Sequence, residues 1–273
     1  MTERLIDLWG HRELLWNLTV KELKVKYKRS VLGFVWSFMN PIIMLGVFSV
    51  VFAIMVRSEG IQWFAVYLMA GLLPWLFFVN SLNQSVVSIV GNPGLVKKVY
   101  FPREVLPIAA VGANVFHFLM QMAVLFLFLL AIGWKFSPYL ALFPLVLLME
   151  ICFTLGLCLL VSAANVYLRD VQHFVEVVTM AWFWLTPIVY PIGLLIDRMG
   201  SLLWLYLANP MANIVLAWQY IIYNPGYYAR GSEVAVACIS FWGMSGTAVG
   251  SLALLVVGYW FFCKTERGFA EQI

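Results

Sequence analysis

The sequence predicts an all-α membrane protein, and three observations carry that prediction. Of 273 residues, 63% are hydrophobic and only 11% are charged, whereas a water-soluble domain carries about 25% charged residues to face its solvent. The mean hydropathy is +0.92. The apolar residues also come in long runs, several exceeding the roughly 20 residues a helix needs to cross about 30 Å of hydrocarbon. An outer-membrane barrel would instead show short alternating stretches. The four cysteines, Cys152, Cys158, Cys238 and Cys263, all lie in apolar runs without CxxC or Cys/His spacing, so neither a disulfide framework nor a metal site is expected.

The chain begins with MTERLIDLWGHRELLWNLTVKELKVKYKRS, which lacks the compact apolar core and small-residue cleavage site of a signal peptide. Leu5, Leu8, Trp9, Leu15, Trp16 and Leu23 recur there at roughly helical spacing, with arginine, lysine and glutamate between them. This pattern predicts a helix lying on the membrane, its apolar side in the headgroup boundary and its cations toward anionic lipid. Six spans follow: Val31–Val56, Gln62–Val90, Val105–Trp134, Tyr139–Asn165, Phe174–Tyr190 and Val234–Cys263. Between the last two lies LLWLYLANPMANIVLAWQYII, Leu202 to Ile222, long enough to span but interrupted by Asn209-Pro210 and Asn213. It reads as an external re-entrant or interfacial helix pair, entered past Pro187 and Pro191 and broken near Asn209-Pro210. Irregular backbone at that depth requires burial by protein or a hydrated cavity, which makes the region a wall of a pathway mouth; a plain seventh helix is the alternative. With the tail 264–273, the whole chain forms one domain.

The lysines and arginines orient the bundle. Residues 1–30 hold Arg4, Arg12, Lys21, Lys24, Lys26, Lys28 and Arg29, the 91–104 loop Lys97, Lys98 and Arg103, the 166–173 loop Arg169, and the tail Lys264 and Arg267. Only Arg57, Lys135, Arg198 and Arg230 fall on the other side. Both termini are therefore expected in the cytoplasm, in a multi-pass protein of the cytoplasmic membrane. If the 202–222 stretch crossed, the tail would fall outside and this asymmetry would weaken.

Two cytoplasmic loops interrupt the apolar runs with chemistry. In NPGLVKKVYFPREVLPIA, Asn92 to Ala109, Asn92-Pro93-Gly94 ends one helix and Phe101-Pro102 restarts the chain, Pro102 suiting a first helical turn. Lys97, Lys98, Tyr100, Phe101, Arg103 and Glu104 then form a stiff amphipathic knuckle at the membrane surface. A plain positively charged loop would account for the lysines, but not for prolines on both sides. The second loop carries Arg169 and Asp170 where the chain reverses, either a solvated turn or a docking point for another subunit.

Four stretches in order, YKRSVLGFVWSFMNPIIML, VKKVYFPREVLPIA, NVYLRDVQHFVEVVTMAWFWLTPIVYP and LANPMANIVLAWQYIIY, closely resemble the membrane subunits of ABC-2 type polysaccharide exporters. These transport O-antigen, capsule and teichoic acid polymers on lipid carriers, and the resemblance covers nearly the whole chain. It implies six spans per subunit, a homodimer around a central channel, and two separate ATP-hydrolysing subunits on the cytoplasmic side. It further implies an N-terminal interface helix and external re-entrant helices between spans five and six. Lys97 to Glu104 and the Arg169-Asp170 turn would then be gating and coupling surfaces. The chain itself has no G-x-x-x-x-G-K-[ST] phosphate loop, so ATP and Mg2+ are expected on the partner, with no cofactor, metal or catalytic group here and no nucleic-acid partner.

Within the spans, two sets of residues are candidates for the substrate path. Aromatic residues make up 16% of the chain; interfacial belts explain many of them, but Phe78, Phe116, Phe118, Trp182, Phe183 and Trp184 lie inside apolar runs, where they serve either packing or loose contact with sugar faces. A polymer path needs binding weak enough to leave. Asn114, His117 and Gln121 share one face of span three, and Asn80, Asn83 and Gln84 cluster in span two, as interhelical hydrogen-bond glue or as sugar-hydroxyl contacts. Glu150 stands mid-span in LVLLMEICF, where a charge costs roughly 2.5–3.5 kcal/mol on insertion scales; it must face the interior, carry a proton or pair with a cation. The competing functions are a small-molecule or lipid exporter of the same superfamily and a membrane-embedded transferase. The latter needs an acid, base or metal constellation that these short loops do not supply.

Overall fold

The computed structural model describes residues 9–27, 35–54, 63–190, 192, 207–223 and 241–273, and among these every regular element is helical. In chain order they are α1 Arg12–Tyr27, α2 Trp36–Ile54, α3 Phe64–Val86, α4 Pro93–Lys98, α5 Val105–Ala131, a 3-10 turn Pro138–Leu142, α6 Phe143–Tyr167, α7 Val171–Trp184, α8 Pro210–Tyr223, α9 Phe241–Thr265, a 3-10 turn Glu266–Gly268 and α10 Phe269–Gln272. Among the described residues, four helices are long and apolar enough to cross a membrane, within 64–86, 105–131, 138–167 and 242–268, and a shorter apolar helix runs through 38–51. Both ends of the expected span Val31–Val56, the first residues of Gln62–Val90 and Val234–Cys263, the residues Leu5, Leu8 and Pro191, and 202–206 of the 202–222 stretch lie outside the described residues.

Helix α3 is the centre of the bundle. Almost every side chain from Phe64 to Phe78 is buried, because α2, α5, α6, α7 and α8 all pack on it. A helix apolar on every side is what such a position requires. Helices α6 and α9 form the most intimate pair, and glycines allow it: a Cβ at Gly258 would stand 2.2 Å from the Gly156 carbonyl oxygen, and one at Gly156 would stand 2.8 Å from the backbone of Leu254 and Leu255. Close backbone approach through small residues is a principal source of helix association where lipid removes the hydrophobic drive.

Where the elements depart from the expected boundaries, local chemistry gives the reason. Span three was expected to reach Trp134, but α5 stops at Ala131. Gly133 takes φ 70°, its N–H donates to Leu130 O at 3.1 Å, and the Trp134 N–H donates to Leu129 O at 2.9 Å, the paired bonds of a Schellman ending. Asn92-Pro93 does more than end a helix: Pro93 opens the six-residue α4, its missing N–H costing nothing at that position. Pro102, expected in the first turn of the next helix, lies one turn ahead of it, with Val105 N–H donating to its carbonyl at 3.2 Å. Span five, expected as one helix from Phe174 to Tyr190, runs helically only over the 14 residues of α7, about 21 Å; residues 185–190 are irregular. Helix α8 starts at Pro210, and the Asn209 side-chain oxygen accepts the Met211 N–H at 3.1 Å, so the expected break at Asn209-Pro210 is a helix start.

Candidate transport path and coupling surfaces

At one end of the bundle a second apolar cluster joins elements far apart in sequence. Leu18 of α1, Val96 of α4, Phe101, Val105, Leu106, Leu159 and Val166 of α6, Phe262 of α9 and Phe269 of α10 are buried together. The apolar residues of the first helix divide here: Leu18 is buried and Leu15 half-buried, while Trp9 and Trp16 are 71% and 66% exposed. The helix thus rests its leucines on the protein and turns its tryptophans away. The Lys97 to Glu104 knuckle divides in the same way. Lys97, Lys98 and Tyr100 project outward, Phe101 and Glu104 are buried anchors, and Pro102 and Arg103 are half-buried. Arg103 Nη1 donates to the Glu266 carbonyl of the tail, and Tyr259 donates to Glu104 Oε1 at 3.3 Å. Val99 to Glu104 together with Glu266 and Arg267 line an open cleft of about 290 Å³. Arg169 and Asp170 stand exposed in the turn between α6 and α7. Among the described residues, the nearby ion pair is instead His173–Glu176 at 3.6 Å, which forms when that histidine is charged.

A polar chain leads from this end into the bundle. Lys21 of α1 lies 3.6 Å from Glu22 and donates to Asn92 Oδ1 at 3.0 Å. Glu22 accepts from Gln84 at 2.8 Å, and Gln84 Oε1 accepts from Asn114 at 2.7 Å. Asn114 also donates to Ala110 O at 2.9 Å. The structure therefore brings Gln84 and Asn114 together as glue between α3 and α5. His117 is buried and Gln121 half-buried on the same helix, whereas Asn80, Asn83 and Phe116 are exposed on the chain's surface.

The interior aromatics pack on one another. Phe78, wholly buried, contacts Trp182 at 5.3 Å and Phe153 at 5.7 Å between ring centres, and Trp182 Nε1 donates to Asn209 Oδ1 at 3.0 Å. Phe118 contacts Trp218 at 5.4 Å. Trp184, by contrast, is 63% exposed. Glu150 is wholly buried: Trp218 Nε1 donates to its Oε2 at 2.8 Å, while Oε1 has no hydrogen-bond partner among the described residues. The irregular backbone after α7 is held by protein groups, as its depth demands. Gln219 donates to Pro187 O at 2.9 Å, and Tyr67 donates to Tyr190 O at 3.2 Å.

A match to the family described as ABC-2 type transporter covers residues 13–223, taking in the surface helix, the knuckle, the α6–α7 turn and α8. The chain belongs to this family. It is 34% identical over 242 residues to the O-antigen export system permease protein RfbA of Myxococcus xanthus, covering 88% of this chain and 92% of that one. A Klebsiella pneumoniae protein of the same description is 32% identical over 262 residues, covering 95% and 94%. The polysialic acid transport protein KpsM of Escherichia coli is 25% identical over 225 residues, covering 78% and 82%.

Three features of this ABC-2 chain escape a reading of the sequence. The tail residues Thr265, Glu266, Gly268 and Phe269 look like an ordinary polar end, yet they touch both loops. Tyr259 lies in an apolar run and carries no visible signal for Glu104. Gln219 and Tyr67 are remote from Pro187 in sequence, so only their lone polar groups inside apolar stretches hint that irregular backbone needs them.

Proposed function

We propose that this chain is the channel-forming transmembrane subunit of an ABC exporter that moves a lipid-linked polysaccharide across the cytoplasmic membrane. Two copies enclose the path, each with six spans and both termini cytoplasmic, and two separate ATPase subunits drive them. The observation that carries this reading is the near end-to-end similarity to O-antigen permeases, 88–95% of this chain, with a more distant relative named for polysialic acid transport. The geometry supports it in two ways. Surfaces for an ATPase partner are gathered at the end that holds α1, α4, the α6–α7 turn and the tail, where Arg12, Lys21, Lys24, Lys97, Lys98, Arg103, Arg169, Lys264 and Arg267 fall. Along the exposed side of α3, Asn80 and Asn83 present amides where a lipid-facing helix would be apolar; a polar path between two copies gives them a hydrated surface.

On this reading the residues divide by role. Lys97, Lys98, Tyr100 and the Arg169-Asp170 turn meet the ATPase, and Phe101, Pro102, Arg103 and Glu104 anchor that surface to α5. Asn80, Asn83, Phe116 and Trp184 face the polymer, and Phe78, Trp182 and Glu150 hold the wall behind them. ATP with Mg2+ is bound and hydrolysed on the partner. The test is depletion of the protein followed by extraction of lipid-linked glycans from the membranes. Accumulation of a polymer on the cytoplasmic leaflet is expected and names the cargo; unchanged membrane and surface glycans would overturn polysaccharide export in favour of a smaller cargo.

A further inference from the structure

The tail meets both loops assigned to the ATPase, and it does so with different residues. Toward the α4–α5 knuckle, the Glu266 carbonyl accepts from Arg103, and Tyr259, one and a half turns before the end of α9, donates to Glu104. Toward the α6–α7 turn, the Thr265 carbonyl accepts from Tyr167 at 2.7 Å. The Phe269 ring lies 6.1 Å from that of Tyr167 and 5.4 Å from that of Phe262. Gly268 makes this approach possible: a Cβ there would stand 2.5 Å from Tyr167 Oη. Phe269, four residues before Ile273, is wholly buried. Chain ends that make no such contacts fray.

We propose that the C-terminal turn, Thr265 to Phe269, is a clamp that fixes the α4–α5 knuckle and the α6–α7 turn to each other, with Tyr167, Gly268 and Phe269 as positioning residues. Apart from the tail, the two regions meet only through apolar packing, Val96 and Phe101 of the knuckle being buried in one cluster with Leu159 and Val166 of α6 among the described residues; the tail adds directional hydrogen bonds to both. Through the tail, displacement of one loop carries the other, so the two surfaces move as one block. That this block transmits ATPase motion rests on the exporter reading above; the mechanical link between the loops does not.

The experiment separates the two. Full-length protein in inverted membrane vesicles exposes this end to trypsin, and cleavage after Arg103 and after Arg169 is followed over time. Gly268→Ala places a methyl against Tyr167 on the α6–α7 side alone. Cleavage is expected to accelerate at both arginines, by roughly fivefold for the loss of one net hydrogen bond. Tyr167→Phe, which keeps the ring and removes the hydroxyl, should do the same. Acceleration at Arg169 alone, or at neither site, overturns the clamp. The second readout is ATP hydrolysed per polymer exported by the complete transporter. The clamp predicts a higher ratio in both variants. A linked proteolysis pattern with no polymer export even in the unaltered protein would leave the clamp standing and count against the exporter reading.

Discussion

Replacing Trp218 by phenylalanine removes the donor that reaches Glu150 Oε2 at 2.8 Å and leaves a buried carboxyl without a hydrogen bond among the described residues. A buried polar group that loses its partner costs about 1–3 kcal/mol, so Trp218→Phe should lower the melting temperature of the purified protein in detergent. If the cost comes from the stranded carboxyl and not from the smaller ring, Glu150→Leu in the same chain should recover most of it. A double mutant no more stable than Trp218→Phe alone would assign the loss to packing against Phe118 and Phe143, whose rings lie 5.4 and 4.8 Å away. Asn80 and Asn83 call for the opposite experiment. Both are exposed and so tolerate substitution, and leucine at each suits lipid as well as asparagine suits a polar path. Asn80→Leu with Asn83→Leu should therefore leave the melting temperature unchanged or slightly raised while lowering polymer export several-fold. Unaltered export in a stable double variant would remove these amides from the path.

At the scale of helices, the α6–α9 pair depends on two positions that a hydropathy pattern cannot distinguish from any other small residue. Gly258→Ala would put a methyl 2.2 Å from the Gly156 carbonyl oxygen, where the obstacle is backbone and cannot rotate aside. The two helices must separate, forfeiting contacts along their length, so a loss at or above about 3 kcal/mol is expected, beyond the ordinary range for overpacking. Gly250→Ala on the same helix, where nothing lies within 4 Å, is the control and should be neutral or mildly stabilising, since alanine is the better helix former. Equal effects from the two would show that helix propensity, not the crossing, governs this region. The same contrast explains what was legible beforehand. Apolar runs long enough to span, the Asn209-Pro210 break and the Lys97–Glu104 knuckle are local patterns, and each corresponds to a helix, a helix start or a surface loop. The end of α7 at Trp184 was only partly legible: Pro187 cannot continue a helix, yet nothing local shows that the backbone can stay irregular from Leu185 to Tyr190. What lets the backbone leave the helix there is hydrogen bonding from Tyr67 and Gln219, which arrives from other parts of the chain. For the path, the sequence could name Phe78, Phe116 and Trp184 alike; burial inside one chain for Phe78 and exposure for the others is a property of packing.

For the whole molecule, the decisive quantity is which end faces the cytoplasm. Helices α1, α4 and α10 meet around one apolar cluster, so the surface helix, the knuckle and the tail lie on the same side, whichever side that is. The other end is closed by Trp134 and Tyr223, 6.0 Å apart, and by Tyr139 against Tyr220 at 5.2 Å. These are aromatic side chains of the kind that gather at a membrane interface. The proposed sidedness follows from charge, because translocating a lysine- or arginine-rich segment is opposed by the membrane potential and anionic inner-leaflet lipid. Single cysteines at exposed Lys98 and Glu271 should resist a membrane-impermeant maleimide in intact cells and react in inverted vesicles. One at Tyr139, 45% exposed, should do the reverse. If Lys98 and Glu271 reacted on opposite sides, an odd number of crossings would separate them and the shared cluster could not form in the membrane. If all three were inverted together, the fold would stand, but every surface assigned to the ATPase would face away from ATP. The labelling pattern therefore tests the architecture through the agreement of the two tail-end sites, and the coupling assignment through the side on which they agree.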